Sequence, residues 1–381
     1  MNPSFTRREM IRGSVAFAAV ALTHAPWSAL GARAREDAGT LIPFLDKQPP
    51  GKMLQWENLT DWITPNDQVF AVSHYGKPVV DPAQFKLEVG GLVRKPITLS
   101  LEQIRKRRRK SVVATLECSG NSSNPGFAGA IGNVRWTGTP LVSLLDDCQP
   151  LKRGIEVVFF GADEKVEKIR EKEYSQNFAR SLSIREAARD EILLAYEMNG
   201  EPLTPEHGAP LRLVVPGWFG IAWVKWLQRI EVLDRRYMSK YMAREYVTIR
   251  GEERNGKTIW RETSVGPIDV KSVTARAARL SDGTIRFSGA AWTDGTPLRR
   301  VEIKIGESAW KPVDLARKPS ERYGWRFWTY DWKHPESGDH TVVSRAIDTE
   351  GRIQPSYEDP EIKLKRTYWE ANQQFPRKLR V

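Results

Sequence analysis

The sequence predicts an α+β protein, in which a mixed α/β domain is followed by an immunoglobulin-like antiparallel β-sandwich. Three observations predict it. The 381 residues suffice for two ordinary hydrophobic cores. Between residues 69 and 232, β-branched apolar runs alternate with short amphipathic segments. Beyond Gly266-Pro267 the pattern changes to short strand-like runs separated by regular turn signals. With 40% hydrophobic and 28% charged residues, the composition is that of a soluble globular protein. No apolar stretch reaches spanning length, so no permanent membrane anchor is expected.

The first element is a targeting segment. Thr6-Arg7-Arg8-Glu9-Met10-Ile11-Arg12 precedes the apolar run Val15 to Leu22 and then Ala32-Arg33-Ala34. A paired-arginine start, a short apolar stretch and an A-x-A site read as a twin-arginine export signal over residues 1–34, which implies a periplasmic protein. An ordinary basic first helix is the alternative, and the shortness and position of the apolar run argue against it. The twin-arginine route carries folded proteins, often with a cofactor already inserted.

Net charge is +12, of which residues 1–34, with four Arg and one Glu, account for three. A basic remainder suits nucleic acid, acidic lipid or a small anionic substrate. The run Arg105-Lys106-Arg107-Arg108-Arg109-Lys110 resembles a nucleic-acid patch in isolation; in an exported protein it is expected to be a solvated helix end, with no nucleic-acid partner.

Residues 35–262 form the expected first domain. Residues 35–66 read as an irregular lead-in, and Val69 to Val89 as strands between turns such as Tyr75-Gly76-Lys77-Pro78. Ser100 caps a short helix that the basic run closes. Ser111 to Glu117 is a β-branched strand that delivers Cys118 to the small-residue loop Cys118-Ser119-Gly120-Asn121-Ser122-Ser123-Asn124-Pro125-Gly126. Thr139 to Asp147 suits a short helix. Ile155 to Phe160, Ile192 to Tyr196, Leu211 to Val215 and Trp223 to Val232 suit strands.

Residues 263–381 are the expected sandwich and tail. Thr284–Trp292, Arg300–Ile305, Trp325–Trp332 and Thr341–Ile347 alternate or are β-branched, with turns at Ser281-Asp282-Gly283 and Asp294-Gly295. The aromatic string Trp325 to Trp332 is expected to pack both faces of a strand rather than to stack sugars or bases.

The two cysteines, Cys118 and Cys148, cannot supply an iron–sulfur cluster, and the sequence contains no C-x-x-C-H haem motif. They form either one disulfide or two separate thiols, with Cys118 then a metal ligand or a buried structural thiol. A soft thiolate at Cys118, beside Gly120, suits a transition metal. Further along, His207-Gly208-Ala209-Pro210-Leu211-Arg212 and Val224-Lys225-Trp226 place a planar guanidinium fork and an ammonium where both suit phosphate.

Together with Leu116-Glu117-Cys118-Ser119-Gly120-Asn121, the stretch Glu197 to Leu227 resembles the sulfite oxidase family of molybdopterin enzymes. Ser288-Gly289-Ala290-Ala291-Trp292, Val301-Glu302-Ile303 and Arg345-Ala346-Ile347-Asp348 resemble that family's dimerisation domain. The resemblance implies the sulfite oxidase fold, a molybdenum–molybdopterin cofactor (Moco) and a homodimer. It implies Cys118 as the protein's ligand to the metal. It also implies His74, Asp163, His207, Arg212 and Lys225 as cofactor-binding residues, and Tyr246 as a catalytic residue beside Cys118.

This sequence departs from the family pattern at the substrate side. Val72 stands where sulfite-oxidising members carry arginine, Ser122-Ser123 stand where they often carry two arginines, and a tryptophan expected in the following loop is absent. Losing charge-assisted donors weakens binding of a small dianion. Oxygen-atom transfer with sulfite as default substrate and an external c-type cytochrome as electron acceptor is therefore the first expectation. Reduction of sulfoxides or another oxo-compound is the second, and a cofactor-free binding protein built on the sandwich is the third.

Overall fold

The computed structural model describes residues 39–46, 53–124 and 127–381; the expected export signal lies outside the described residues. Two sheets build the first domain. One runs in the order Arg212–Val214, Leu193–Met198, Ile131–Pro140, Lys110–Glu117, antiparallel throughout. The other runs Ile97–Ser100, Lys86–Gly91, Leu227–Leu233, Glu156–Ile169, Lys172–Ser183, with one parallel pair between its second and third strands.

The strand ending at Glu117 follows the sequence expectation. Its β-branched and small residues become continuously buried toward Glu117, as a strand covered on both faces requires. The helix Leu101–Arg105 starts at Ser100, whose Oγ accepts from Gln103 N at 3.2 Å, while Gln103 Oε1 accepts from Ser100 N at 2.8 Å. Such a capping box is worth about 1 kcal/mol. The basic run behind it is matched by acids: Lys106 with Glu102, Arg107 with Asp147, Arg108 and Lys110 with Asp190, and Arg109 with Glu197. This is a solvated, ion-paired helix end.

The structure differs from the sequence reading in four places. Within 69–89 only Lys86–Gly91 is a strand. The preceding segment is a loop pinned by buried Val69, Phe70 and Tyr75, where Pro78 and Pro82 deny a ladder its donors. Strand character resumes at Leu227 rather than Trp223, so Lys225 sits on a loop after the turn Gly220–Ala222. The hairpin Glu156–Ile169 with Lys172–Ser183 is far longer than Ile155–Phe160; its outer half is charged, and cross-strand pairing sustains it. Finally, the lead-in is not wholly irregular, because Thr40–Ile42 adds an edge strand beside Lys271–Arg279.

The C-terminal sandwich packs a sheet of Thr40–Ile42, Lys271–Arg279, Ile285–Trp292, Arg326–Trp332 and Asp314–Leu315 on one of Lys311–Pro312, Leu298–Ile305, Asp339–Asp348 and Arg377–Arg380. Phe287, Val301, Ile303, Trp328, Val342 and Leu379 fill its interior. The break expected at 262/263 falls inside the strand Lys257–Ser264, which pairs with Val247–Arg254 as a separate hairpin. The larger core crosses that break: Val273, Trp292 and Trp325 of the sandwich pack in one cluster with Trp56, Leu116 and Trp136. Both cysteines are free, so the disulfide alternative falls. Among the described residues no helix is long and apolar enough to cross a membrane.

Candidate functional site

A cavity lies beyond Glu117, at the end of the strand that delivers Cys118. His74, Cys118, Asp163, His207, Arg212, Lys225 and Tyr246 all line it, from segments scattered over nearly half the chain. The structure therefore brings together every site residue that the sequence singled out.

Cys118 opens a loop built from its own backbone hydrogen bonds. Cys118 N donates to Ala130 O at 2.9 Å, Asn121 N to Cys118 O at 2.9 Å and Ser123 N to Gly120 O at 3.0 Å. The Asn121 side chain ties both ends, accepting from Ala130 N at 3.0 Å and donating to Glu117 Oε1 at 3.0 Å. Burial pushes the Cys118 thiol above its ordinary range, so without a cation the sulfur stays protonated.

Part of the cavity lining is basic. Arg212 is fully buried, with Nη1 donating to His207 O and Nη2 to Trp223 O, both at 3.1 Å, and its guanidinium lies 4.8 Å from the centre of the Trp136 ring. Lys225 Nζ donates to Glu206 O at 3.1 Å. Gly208 makes their approach possible: its φ is +96°, and a Cβ there would stand 2.9 Å from Lys225 Cβ. Burial, and then Arg212, push Lys225 down to about 7; burial alone pushes Arg212 to about 9. Burial and the same two cations push His207 to about 4. Asp163, the carboxylate of the group, is raised to about 6 by burial. This end of the cavity is a preformed demand for an anion.

Tyr246 closes another side. It occupies the left-handed region, with φ at +55°, between the helical turn Lys240–Arg244 and the strand Val247–Arg254. Its hydroxyl is 2.7 Å from His74 Nε2, and its ring stacks on Trp369 at 4.0 Å. Burial, with lesser contributions from Lys225 and Lys240, pushes His74 to about 4, so its ring is neutral at neutral pH. Tyr368, Trp369 and buried Arg180 border this side and escaped the sequence reading. Arg180 donates to Tyr241 O and Val265 O, which hold the backbone on either side of Tyr246. Of the departures noted in the sequence, Val72 lines the cavity half-exposed, whereas Ser122 is fully buried and neither it nor Ser123 belongs to the lining.

Residues 74–241 match the oxidoreductase molybdopterin binding domain. The mitochondrial sulfite oxidase of Drosophila melanogaster is 30% identical over 350 residues, covering 82% of this chain and 58% of that sequence. The chain carries a molybdopterin-binding oxidoreductase domain and is similar to the sulfite oxidases. Sulfite oxidase of Arabidopsis thaliana is 27% identical over 350 residues, covering 82% of this chain and 86% of its own. A nitrate reductase of Brassica napus is 29% identical over 309 residues, 71% of this chain and 33% of its own. The chain spans about 58–60% of the length of the insect and rat sulfite oxidases. The crystal structure of the sulfane dehydrogenase SoxCD from Paracoccus pantotrophus shares the fold, with a TM-score of 0.72 and 23% identity, over 94% of this chain and 91% of that one. The molybdopterin-binding domain sets aside the cofactor-free binding protein.

The cofactor of the sulfite oxidase family is molybdenum held by molybdopterin, an anionic group with a phosphate and many polar edges. The cavity fits it. Asp163 Oδ1, Arg212 Nε and Ser119 Oγ are buried polar atoms of the lining that no protein group satisfies. Arg212, Lys225 and His207 crowd one another beside the single buried carboxylate of Asp163, and the Cys118 thiol lines the same cavity.

Proposed function

We propose that this protein is an exported, periplasmic molybdenum-dependent oxidoreductase that transfers an oxygen atom at sulfur, with sulfite oxidised to sulfate and electrons passed to a c-type cytochrome. The observation that carries the proposal is the convergence of Cys118 with His207, Arg212 and Lys225 in one cavity. When bound, the cofactor supplies two-electron redox chemistry coupled to oxygen-atom transfer.

The chain's own residues then have distinct tasks. Cys118 would give the metal a thiolate. Arg212 and Lys225 would neutralise the phosphate, and the anion would restore the charge that burial lowers on Lys225. His207 offers either a donor or an acceptor to the pterin edge, and Asp163 accepts from it. Tyr246, protonated throughout the physiological range because burial raises it far above its ordinary value, donates to oxygen of the bound oxyanion, while neutral His74 fixes the direction of its hydroxyl. The Arg-Arg start of residues 1–34 supports export, and the sandwich supports a homodimer through its resemblance to the family's dimerisation domain.

A second reading, reduction of sulfoxides, is favoured by Val72, which puts an apolar side chain where a dianion would want a cation. Assaying the molybdenum-loaded enzyme with sulfite plus cytochrome c, and with sulfoxides plus a reduced viologen, separates the two. Sulfite turnover alone supports the first reading; sulfoxide reduction alone overturns it.

A further inference from the structure

Lys271 is a fully buried lysine with no part in the cavity just described. Its ammonium donates to Glu117 Oε1 at 2.8 Å, to Asn121 O at 2.7 Å and to Ala371 O at 2.7 Å, which uses all three of its protons. The second oxygen of Glu117 accepts from Trp292 Nε1 at 2.7 Å. Side-chain exposure of the pair is 1% and 0%, so neither charge is solvated. Apolar residues of equal volume would fill the same space without that desolvation cost. What the charges provide is a junction.

It joins three parts of the protein. Lys271 begins the first long strand of the sandwich. Glu117 and Asn121 belong to the strand and loop that present Cys118. Ala371 lies in the C-terminal segment 368–374, which clasps the same loop: Ala371 N donates to Ser119 O at 2.9 Å and Gln373 Nε2 to Ser122 O at 2.8 Å. Tyr368 covers Gly120 so closely that a Cβ there would meet its ring at 3.1 Å. Trp369 stacks on Tyr246 at 4.0 Å.

We infer that Lys271 is a positioning residue, one that fastens the Cys118 loop to the C-terminal segment so that the thiol and the aromatic wall formed by Tyr368 and Trp369 are held as one unit. The inference rests on Cys118 being the metal ligand for its catalytic meaning, and on hydrogen bonding alone for its mechanics. Loosening the junction frees the loop and the wall together, because Lys271 Nζ, Ala371 N and Gln373 Nε2 tie one segment to the other.

The test uses the full chain prepared without cofactor. Lys271→Met combined with Glu117→Gln removes both charges at once and leaves no orphaned ion. In the folded double variant, iodoacetamide alkylates Cys118 about tenfold faster than in wild type, while buried Cys148 keeps its wild-type rate. Amide exchange rises jointly in residues 118–124 and 368–374. Gln373→Met, which leaves the ion pair intact, gives a smaller rise in the same two segments and decides the matter if the double variant does not fold. In the molybdenum-loaded double variant the Mo(V) EPR signal broadens. Unchanged Cys118 alkylation, or exchange that rises in one segment without the other, overturns the inference. Should a Cys118→Ser protein keep its metal spectrum, the ligand assignment fails while the alkylation and exchange results still decide the coupling.

Discussion

The hydroxyl of Tyr246 lies 2.7 Å from Nε2 of His74, although the two residues are 172 positions apart in the chain. Burial keeps the imidazole neutral and the phenol protonated. If the imidazole donates, the phenolic proton points into the cavity; a neutral ring with its proton on Nε2 is therefore the arrangement that makes Tyr246 a donor to substrate. Replacing Tyr246 by Phe keeps the stack on Trp369 and removes the donor. Turnover is expected to fall roughly 10- to 100-fold with cofactor content unchanged, measured as kcat alongside molybdenum analysis. Undiminished kcat contradicts the assignment.

Lys225→Met should have opposite effects on the two forms of the protein. The cofactor-free form loses a buried cation that burial and Arg212 already disfavour, and gains on the order of 1 kcal/mol of stability. The loaded form loses its phosphate partner and releases cofactor faster. Urea midpoints and retained molybdenum after gel filtration check the pair of outcomes.

Stability of the cofactor-free protein should fall as pH drops from about 6.5 toward about 4. His74 and His207 both titrate near 4 in the fold and near 6.5 when unfolded, so in this window the unfolded chain binds protons that the native state refuses. Lys225, at about 7 instead of 10.5, acts the same way from about pH 10.5 down to about 7. Asp163, raised to about 6, opposes the histidines between its ordinary value and 6. The difference in urea midpoint between wild type and a His74→Gln/His207→Gln variant, followed from pH 7 to 4.5, isolates the histidines. The variant gains relative stability as pH falls; a constant difference contradicts the account.

Val72→Arg should lower the KM for sulfite about tenfold, because residue 72 lines the cavity and a guanidinium there offers the dianion charge-assisted hydrogen bonds. An unchanged or higher KM places the substrate elsewhere. Arginine at Ser122 should not help, since that side chain is fully buried and is not part of the lining.

Much of the site was legible because its chemistry is local in sequence. Cys118 follows a β-branched strand and opens a small-residue loop, and His207, Gly208, Arg212 and Lys225 lie within one short stretch whose order the fold preserves. Lys271, Arg180, Tyr368 and Trp369 were not legible, because their meaning lies in partners far away in sequence: Glu117 is 154 residues from Lys271. A lysine inside Val270-Lys271-Ser272-Val273 was the available signal, since a charge in a buried strand requires a partner. The fold followed the same division. Regular alternation revealed the sandwich strands, while the long hairpin Glu156–Ser183 was missed because its charged outer half carries no apolar pattern. The loop holding His74 was misread as strands because its apolar residues anchor a loop to the core instead of alternating across a sheet.

The proposed chemistry depends on one bond between the sulfur of Cys118 and molybdenum. X-ray absorption at the molybdenum edge counts the sulfurs around the metal: two from the pterin dithiolene and one from the protein. Three are expected in the wild-type enzyme and two in Cys118→Ser loaded with cofactor. Three in both, or two in both, would contradict it.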